Sequence, residues 1–109
     1  MYDRTTTTDP SKVQIDHIVP LADAWRSGAE NWSTGQRQDF ANDLTDPQLI
    51  AVSAGSNESK GDQDPSQWKP PNTGKWCFYA RDWIQVKHVW HLTITSDERS
   101  ALSDMLGTC

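Results

Sequence analysis

Two apolar runs rich in β-branched residues lie in the first half of the chain. The run "KVQIDHIV" (12–19) and the run "PQLIAVS" (47–53) have the composition of β-strands, in which branched side chains pack well. Pro20 ends the first run, because a proline cannot donate to a sheet ladder. The pattern therefore predicts two strands, which are too few to be stable unless another layer packs on them.

The other periodic segments have apolar residues three and four positions apart, which predicts helices. We expect helices over residues 20–29, 33–44, 64–68 and 76–92, and a final helix that begins at a capping box of Thr95 and Glu98 and ends at Gly107. Residues 54–64 predict a polar turn or a short helix. The sequence therefore predicts a helix-dominated α+β fold in one domain over residues 1–109, with residues 1–11 as a loose, Thr-rich arm.

Large apolar side chains on these segments are the candidate core. Six tryptophans are the main source of buried area in a chain with only 35% hydrophobic residues. We expect packing, rather than base stacking, to hold the tryptophans, with Trp32 and Trp68 half-exposed. The residues expected to anchor the helices are Trp25, Trp32, Phe40, Leu44, Trp83 and Trp90.

The formal net charge is -5. Nucleic-acid-binding proteins are usually basic, because neutralisation of phosphates supplies most of their affinity. Taken alone, the charge argues against a nucleic-acid partner. It still allows one whose contacts are local and assisted by a metal ion.

The two cysteines, Cys77 and Cys109, are not part of a CxxC motif, which argues against a zinc site. One pair of cysteines in a small domain fits a disulfide and an oxidising compartment. The alternative is two reduced thiols, one buried and one at the terminus. No stretch is long and apolar enough to predict a membrane span.

Asp16 and His17 place two ionisable side chains inside the first apolar run. A buried Asp–His pair is more often structural than catalytic. Neighbouring residues of a regular strand also point to opposite faces, so the two side chains can share a site only if the strand kinks or ends there. A second polar segment, "NESKGD" (57–62), follows the second predicted strand and strengthens the functional interpretation.

The combination of "DHIVPL" (16–21) with "NESKGD" (57–62) resembles the HNH-type (ββα-metal, His-Me finger) endonucleases, and within them a branch of small, often secreted nucleases. The resemblance implies a two-stranded antiparallel sheet and a short helix, packed against additional helices. It implies that Asp16 and Asn57 ligate a divalent metal ion and that His17 is the general base. It also implies that Lys60 holds a phosphate.

These roles suit the hydrolysis of a phosphodiester. A neutral histidine, with an ordinary pKa near 6.5, can take a proton from water at neutral pH. Oxygen ligands favour Mg²⁺, with Mn²⁺ or another divalent ion as alternatives. We expect cleavage of DNA, or of RNA, with little sequence preference and with 5′-phosphate and 3′-hydroxyl products, by a secreted monomer with no membrane partner.

Several assignments around this site have alternatives. Gln48 lies nearest to the place of the central asparagine of the family, so either Gln48 or a backbone carbonyl would orient His17. Glu58 and Asp62 flank Asn57, either as supporting groups or as solvated carboxylates. The whole chain could instead be a non-catalytic nucleic-acid or carbohydrate-binding module on the same scaffold. It could also be the nuclease domain of an intracellular restriction system.

Overall fold

A computed structural model describes residues 2–109 of the chain and shows an α+β fold in which helices dominate, as the sequence predicts. The strands are β1 (Val13–His17) and β2 (Leu49–Ser53). The helices are α1 (Leu21–Arg26), α2 (Thr34–Ala41), α3 (Ala54–Lys60), α4 (Trp76–Val89) and α5 (Ser96–Leu106). Short 3₁₀ turns cover Pro10–Lys12, Ala29–Asn31 and Thr73–Lys75.

The two strands pair antiparallel, with Val13 opposite Ser53 and His17 opposite Leu49. Helix α3 begins at the residue after β2, where the Ser53 side chain accepts a hydrogen bond from the Ser56 backbone N–H and caps the helix. Helix α3 then packs on both strands. The sheet therefore has a helical layer on one face, as two strands require for stability.

A glycine and a capping threonine mark two of the helix ends, and two of the helix predictions need correction. Gly28 follows α1 with a φ of 137°, in the region that favours glycine, which helps to stop this short helix. Residues 64–68 form a turn and not the predicted helix. Thr95 caps α5, but the Glu98 side chain binds Lys87, so the predicted capping box is only half formed.

The core combines residues of β2, of the segment after β1, of α1 and α2 and of the α4–α5 pair, and it includes the start of the chain. Tyr2 is buried and its ring packs edge-on against Tyr79, with 5.3 Å between centroids. Asp3 accepts hydrogen bonds from the hydroxyls of Ser53 and Ser56, at 2.6 and 2.7 Å. The prediction of a loose arm is therefore wrong for Tyr2 and Asp3, because these contacts tie Tyr2 to α4 and Asp3 to β2 and α3. Met1, which the predicted arm includes, lies outside the described residues.

Most of the predicted anchors are buried or half-buried, with two exceptions. Phe40 and Trp83 lie in the core, and Trp32 and Trp90 pack against it. Trp25 is 48% exposed and Leu44 is 85% exposed. The prediction fails at Leu44 because α2 ends at Ala41, so Leu44 lies in the turn beyond the helix.

Cys77 and Cys109 form a disulfide, which confirms one of the two interpretations of the cysteines. Cys77 lies in the first turn of α4, and Cys109 follows α5. Their Cα atoms are 5.1 Å apart, so the bond ties the end of the chain to the longest helix. Among residues 2–109, no helix has both the length and the apolar character that crossing a membrane requires.

Candidate active site

Two side-chain hydrogen bonds join helix α3 to strand β1. Asn57 Nδ2 donates to Gln14 Oε1 at 2.7 Å, and Lys60 Nζ donates to Asp16 Oδ2 at 2.6 Å. Residues two apart on a strand share a face, as do residues three apart on a helix. The structure therefore brings Asn57 and Lys60 to the face of β1 that carries Asp16.

Lys60 is fully buried, and its ammonium group has three hydrogen-bond acceptors. Besides Asp16, the acceptors are the backbone carbonyls of His17 and Ile18, both at 2.8 Å. Burial lowers the pKa of Lys60 to about 8, and the charge of Asp16 opposes that shift. An ammonium has three protons to donate, and here all three are engaged. The predicted phosphate contact therefore does not fit this geometry, in which Lys60 holds the Asp16 carboxylate and the backbone after it.

Asp16 is held on one of its two oxygens. Its Oδ2 accepts from Lys60 and also from the Tyr2 hydroxyl, at 2.5 Å. Burial is the main cause that raises the pKa of Tyr2, so this hydroxyl keeps its proton and acts as a donor. Both contacts are made to Oδ2, and within the described part of the chain no side chain donates to Oδ1, so the carboxylate is fixed in orientation with one oxygen available.

His17 is the last residue of β1, and its ring has a partner from α2. His17 Nε2 lies 2.9 Å from the carbonyl oxygen of Ala41. Ala41 ends α2, where the last carbonyls of a helix lack a partner within the helix. A carbonyl can only accept, so Nε2 carries the proton and the neutral ring keeps its lone pair on Nδ1. This half-buried ring is thus fixed in one tautomer.

Gln48 does not take the role of orienting His17. Its buried side chain forms two hydrogen bonds with the backbone of Val19, through Oε1 at 3.0 Å and Nε2 at 2.9 Å. Its own carbonyl accepts from the Ile18 N–H at 2.7 Å. Gln48 therefore fixes the backbone that follows His17, and of the two alternatives the structure shows the backbone carbonyl at the ring.

The side chains of Asp16 and His17 point to opposite faces of the sheet. The antiparallel register is regular through both residues, which lie opposite Ile50 and Leu49. Strand β1 does end at His17, but each residue from Val13 to His17 has one partner in β2, so the alternation of side chains extends to the strand's last residue. The structure thus places Asp16 with Lys60 and Asn57 on one face, and His17 with Ala41 on the other.

Glu58, in the last turn of α3, and Asp62, just after the helix, both lie at the surface. Asp62 Oδ2 is 3.8 Å from Arg26, in a pair whose side chains are both more than half exposed. Such an exposed ion pair contributes little to stability. The geometry favours the interpretation of these two carboxylates as solvated groups.

Two oxygen atoms that accept no side-chain hydrogen bond within residues 2–109 are of a type that suits a hard cation. Asp16 Oδ1 and the amide oxygen of Asn57 lie on one face of the α3–β1 contact, and carboxylate and amide oxygens are the atoms that Mg²⁺ prefers. Two protein ligands are also typical for Mg²⁺, which keeps several waters. The adjacent ammonium of Lys60 reduces the attraction of this carboxylate for a cation, because it already neutralises part of the charge.

A second buried ionic cluster was not expected from the sequence. Lys87 Nζ lies 2.7 Å from Asp23 Oδ1 and 2.9 Å from Glu98 Oε2, with all three side chains buried. Asp64 adds a third carboxylate, and ligand atoms of Asp23, Asp64 and Glu98 lie within 4.8 Å of one another. The Lys87 ammonium is the positive charge of this cluster, and its two ion pairs join α4 to α1 and α5.

Comparison with known proteins gives a match over most of the chain. The family model described as "GmrSD restriction endonucleases, C-terminal domain" matches residues 1–105. A protein of Arthroderma benhamiae, described as "Uncharacterized secreted protein", is 58% identical over 108 residues. The match covers 99% of this chain and 53% of the relative, so the chain spans about half of that relative's length. No solved structure matches the chain.

Proposed function

The chain belongs to the family of GmrSD restriction endonuclease C-terminal domains, a nuclease family, and from this premise we propose that it is an HNH-type endonuclease. It would hydrolyse phosphodiester bonds in DNA, or in RNA, with a divalent metal ion and little sequence preference. The observation that carries the proposal is the contact between His17 Nε2 and the Ala41 carbonyl. That contact supports a base with its free nitrogen in a defined position.

His17 is the proposed general base. With the proton on Nε2, the lone pair of Nδ1 can accept a proton from a water molecule that attacks phosphorus. The resulting imidazolium would be stabilised by the Ala41 carbonyl, because that oxygen accepts a stronger hydrogen bond from a charged donor. A positioned general base of this kind contributes about 10²- to 10⁴-fold to a rate.

Asp16 and Asn57 are the proposed metal ligands, through Asp16 Oδ1 and the Asn57 amide oxygen. A bound Mg²⁺ or Mn²⁺ would supply Lewis-acid stabilisation of charge on the phosphoryl and leaving oxygens. Lys60 and Tyr2 act on this site as positioning residues, because their hydrogen bonds to Oδ2 fix the carboxylate. Lys60 has no proposed contact with substrate.

The opposite orientation of Asp16 and His17 is compatible with one reaction. In an in-line displacement the attacking and leaving oxygens lie on opposite sides of phosphorus. A phosphodiester placed across the end of β1 would meet His17 on one side and Asp16 on the other. Cleavage of the bond to the 3′-oxygen then gives 5′-phosphate and 3′-hydroxyl ends.

We propose that the protein works outside the cell, as a monomer. The disulfide supports an oxidising compartment, where such bonds persist. The description of the Arthroderma benhamiae relative as a secreted protein supports the same compartment. The family's name favours a second candidate, the nuclease domain of an intracellular restriction system. Free thiols in protein isolated from its native source without reductant would favour that candidate.

The proposed activity is tested by nicking of supercoiled plasmid. We expect nicked product with Mg²⁺ and none when EDTA replaces the metal. Product ends are identified with a phosphatase and a ligase, which distinguish 5′-phosphate from 5′-hydroxyl ends. Absence of cleavage with Mg²⁺ and with Mn²⁺, on both DNA and RNA, would contradict the proposal and favour a non-catalytic binding module.

A further inference from the structure

A cavity of about 220 Å³ lies between α1 and α2. Its walls include Leu21, Trp25, Trp32, Arg37 and Phe40. Trp25 is 48% exposed, although the sequence pattern predicts it as an anchor of the core. An open aromatic cavity at the surface is the kind of place where a flat apolar ligand can bind.

Packed aromatic rings form the back of this cavity. The Trp32 ring packs against Phe40 and Trp90, with centroid distances of 5.6 and 5.5 Å. Trp90 Nε1 donates to Asp43 Oδ2 at 3.0 Å, which fixes that ring in turn. The aromatic wall is therefore preformed, and little ordering would be needed when a ligand enters.

Arg37 places a positive charge at the cavity. Its guanidinium carbon lies 5.2 Å from the Trp25 ring centroid, and its NH1 donates to the Trp32 carbonyl at 2.6 Å. Further contacts go to Ala29 O at 3.5 Å and Thr34 Oγ1 at 3.4 Å. A guanidinium has five N–H donors, so donors remain for an anionic ligand. An apolar aromatic surface beside a held arginine complements a base joined to a phosphate.

Both helices that form the cavity lie close to His17, α1 through the chain and α2 through a hydrogen bond. Leu21 follows His17 by four residues, so their Cα atoms are at most roughly 14 Å apart. On the other side, Phe40 precedes Ala41, whose carbonyl holds the His17 ring. A strand cleaved at His17 would therefore pass this cavity within a few nucleotides.

We propose that the cavity between α1 and α2 binds an unstacked nucleobase of the substrate strand, with Trp25 stacking on the base and Arg37 binding the adjoining phosphate. This inference rests on the proposed function and adds a substrate class, single-stranded or unpaired nucleic acid. A base inside a duplex is already stacked and would have to leave the helix first, at a cost of free energy. Stacking is tolerant of base identity, because every base has a π-face.

The test measures binding of a fluorescently labelled oligothymidylate in EDTA, where the strand stays intact. The comparison strands are the same oligonucleotide with abasic sites and its duplex with oligoadenylate. We expect the wild type to bind the intact single strand more tightly than either, and Trp25→Ala to bind it roughly 5- to 150-fold more weakly. Phe78→Ala is the matched control, since Phe78 is also 48% exposed and lies under a lysine, Lys75.

The outcomes separate this inference from the proposed activity. Equal binding of intact and abasic strands by the wild type would overturn the cavity assignment. This comparison uses only the wild-type protein, so it does not depend on the folding of a variant. Unchanged binding by Trp25→Ala would overturn it as well. Base-dependent binding without cleavage in Mg²⁺ would leave the cavity assignment standing and contradict the nuclease proposal. Cleavage that is equally fast on intact and partly abasic strands would contradict the cavity assignment alone.

Discussion

The ammonium nitrogen of Lys60 lies 2.6 Å from Oδ2 of Asp16, and both side chains are buried where α3 packs on β1. This ion pair connects the two segments that carry the proposed metal ligands. Lys60 therefore has a positioning role: it orients the Asp16 carboxylate and donates to the backbone carbonyls of His17 and Ile18.

Lys60→Met should destabilise the protein by about 3–5 kcal/mol, because it leaves the buried Asp16 charge without its partner. The measurement is the free energy of unfolding from urea denaturation. Lys12→Met is the matched control, since Lys12 is exposed and should change stability little. A stable Lys60→Met protein with weakened substrate binding would instead support the phosphate role implied by the family resemblance.

Asn57→Ala should raise the Mg²⁺ concentration needed for half-maximal cleavage by at least roughly tenfold, because it removes one proposed oxygen ligand. The measurement is a Mg²⁺ titration of the cleavage rate. Glu58→Gln is the control, since the neighbouring carboxylate is exposed and has no proposed role at the metal. The same Mg²⁺ requirement in Asn57→Ala as in the wild type would exclude Asn57 as a ligand.

Asp82→Asn should stabilise the protein more at pH 7 than at pH 4. Burial raises the pKa of Asp82 to about 6, and Arg81 opposes this shift. The folded protein therefore binds more protons than the unfolded chain between about pH 4 and 6, so this carboxyl lowers stability as the pH rises through that window. Above that window the free-energy cost of the charged Asp82 stays constant, and Asp82→Asn removes this cost.

The check is the free energy of unfolding of Asp82→Asn and wild type at both pH values. Asp104→Asn, at an exposed aspartate of α5, is the control and should show a smaller difference between pH 4 and pH 7. An identical effect of Asp82→Asn at the two pH values would show that Asp82 ionises alike in the folded and unfolded chains.

Removing the disulfide by Cys77→Ser with Cys109→Ser should lower the free energy of unfolding by roughly 3.5–4 kcal/mol in the chain-entropy model. The bond closes a loop across a sequence separation of 32, from the start of α4 to the end of the chain. Cleavage activity at low temperature should persist, because neither cysteine is among the hydrogen-bond partners of Asp16, His17 or Asn57. Equal stability of the reduced and oxidised wild type would contradict the expectation.

The sequence predicted those parts of the fold that depend on local chemistry. The β-branched runs predicted both strands, and Thr95 caps α5 as the sequence indicates. Leu44 was misjudged because α2 ends at Ala41, and Trp25 was misjudged because the buried face of the short α1 depends on the packing around it. Tyr2 was missed because its burial depends on residues far along the chain, although an aromatic in a polar arm is a signal.

The candidate site was less accessible to sequence reasoning than the fold. The identity of Asp16, His17 and Asn57 came from their motifs, but their partners came from the structure. The Ala41 contact involves a backbone carbonyl, which no side-chain pattern can reveal. The partners of Lys60 depend on the register between α3 and β1, so an exposed phosphate ligand and a buried counterion are indistinguishable from the sequence.

The most direct test of the central claim is the single-turnover rate of oligonucleotide cleavage in Mg²⁺ by His17→Ala. The matched control is His88→Ala, at an exposed histidine on α4. We predict a rate about 10²- to 10⁴-fold lower for His17→Ala, with stability close to wild type, and no change for His88→Ala. A folded His17→Ala protein that cleaves at the wild-type rate would contradict the assignment of His17 as the general base.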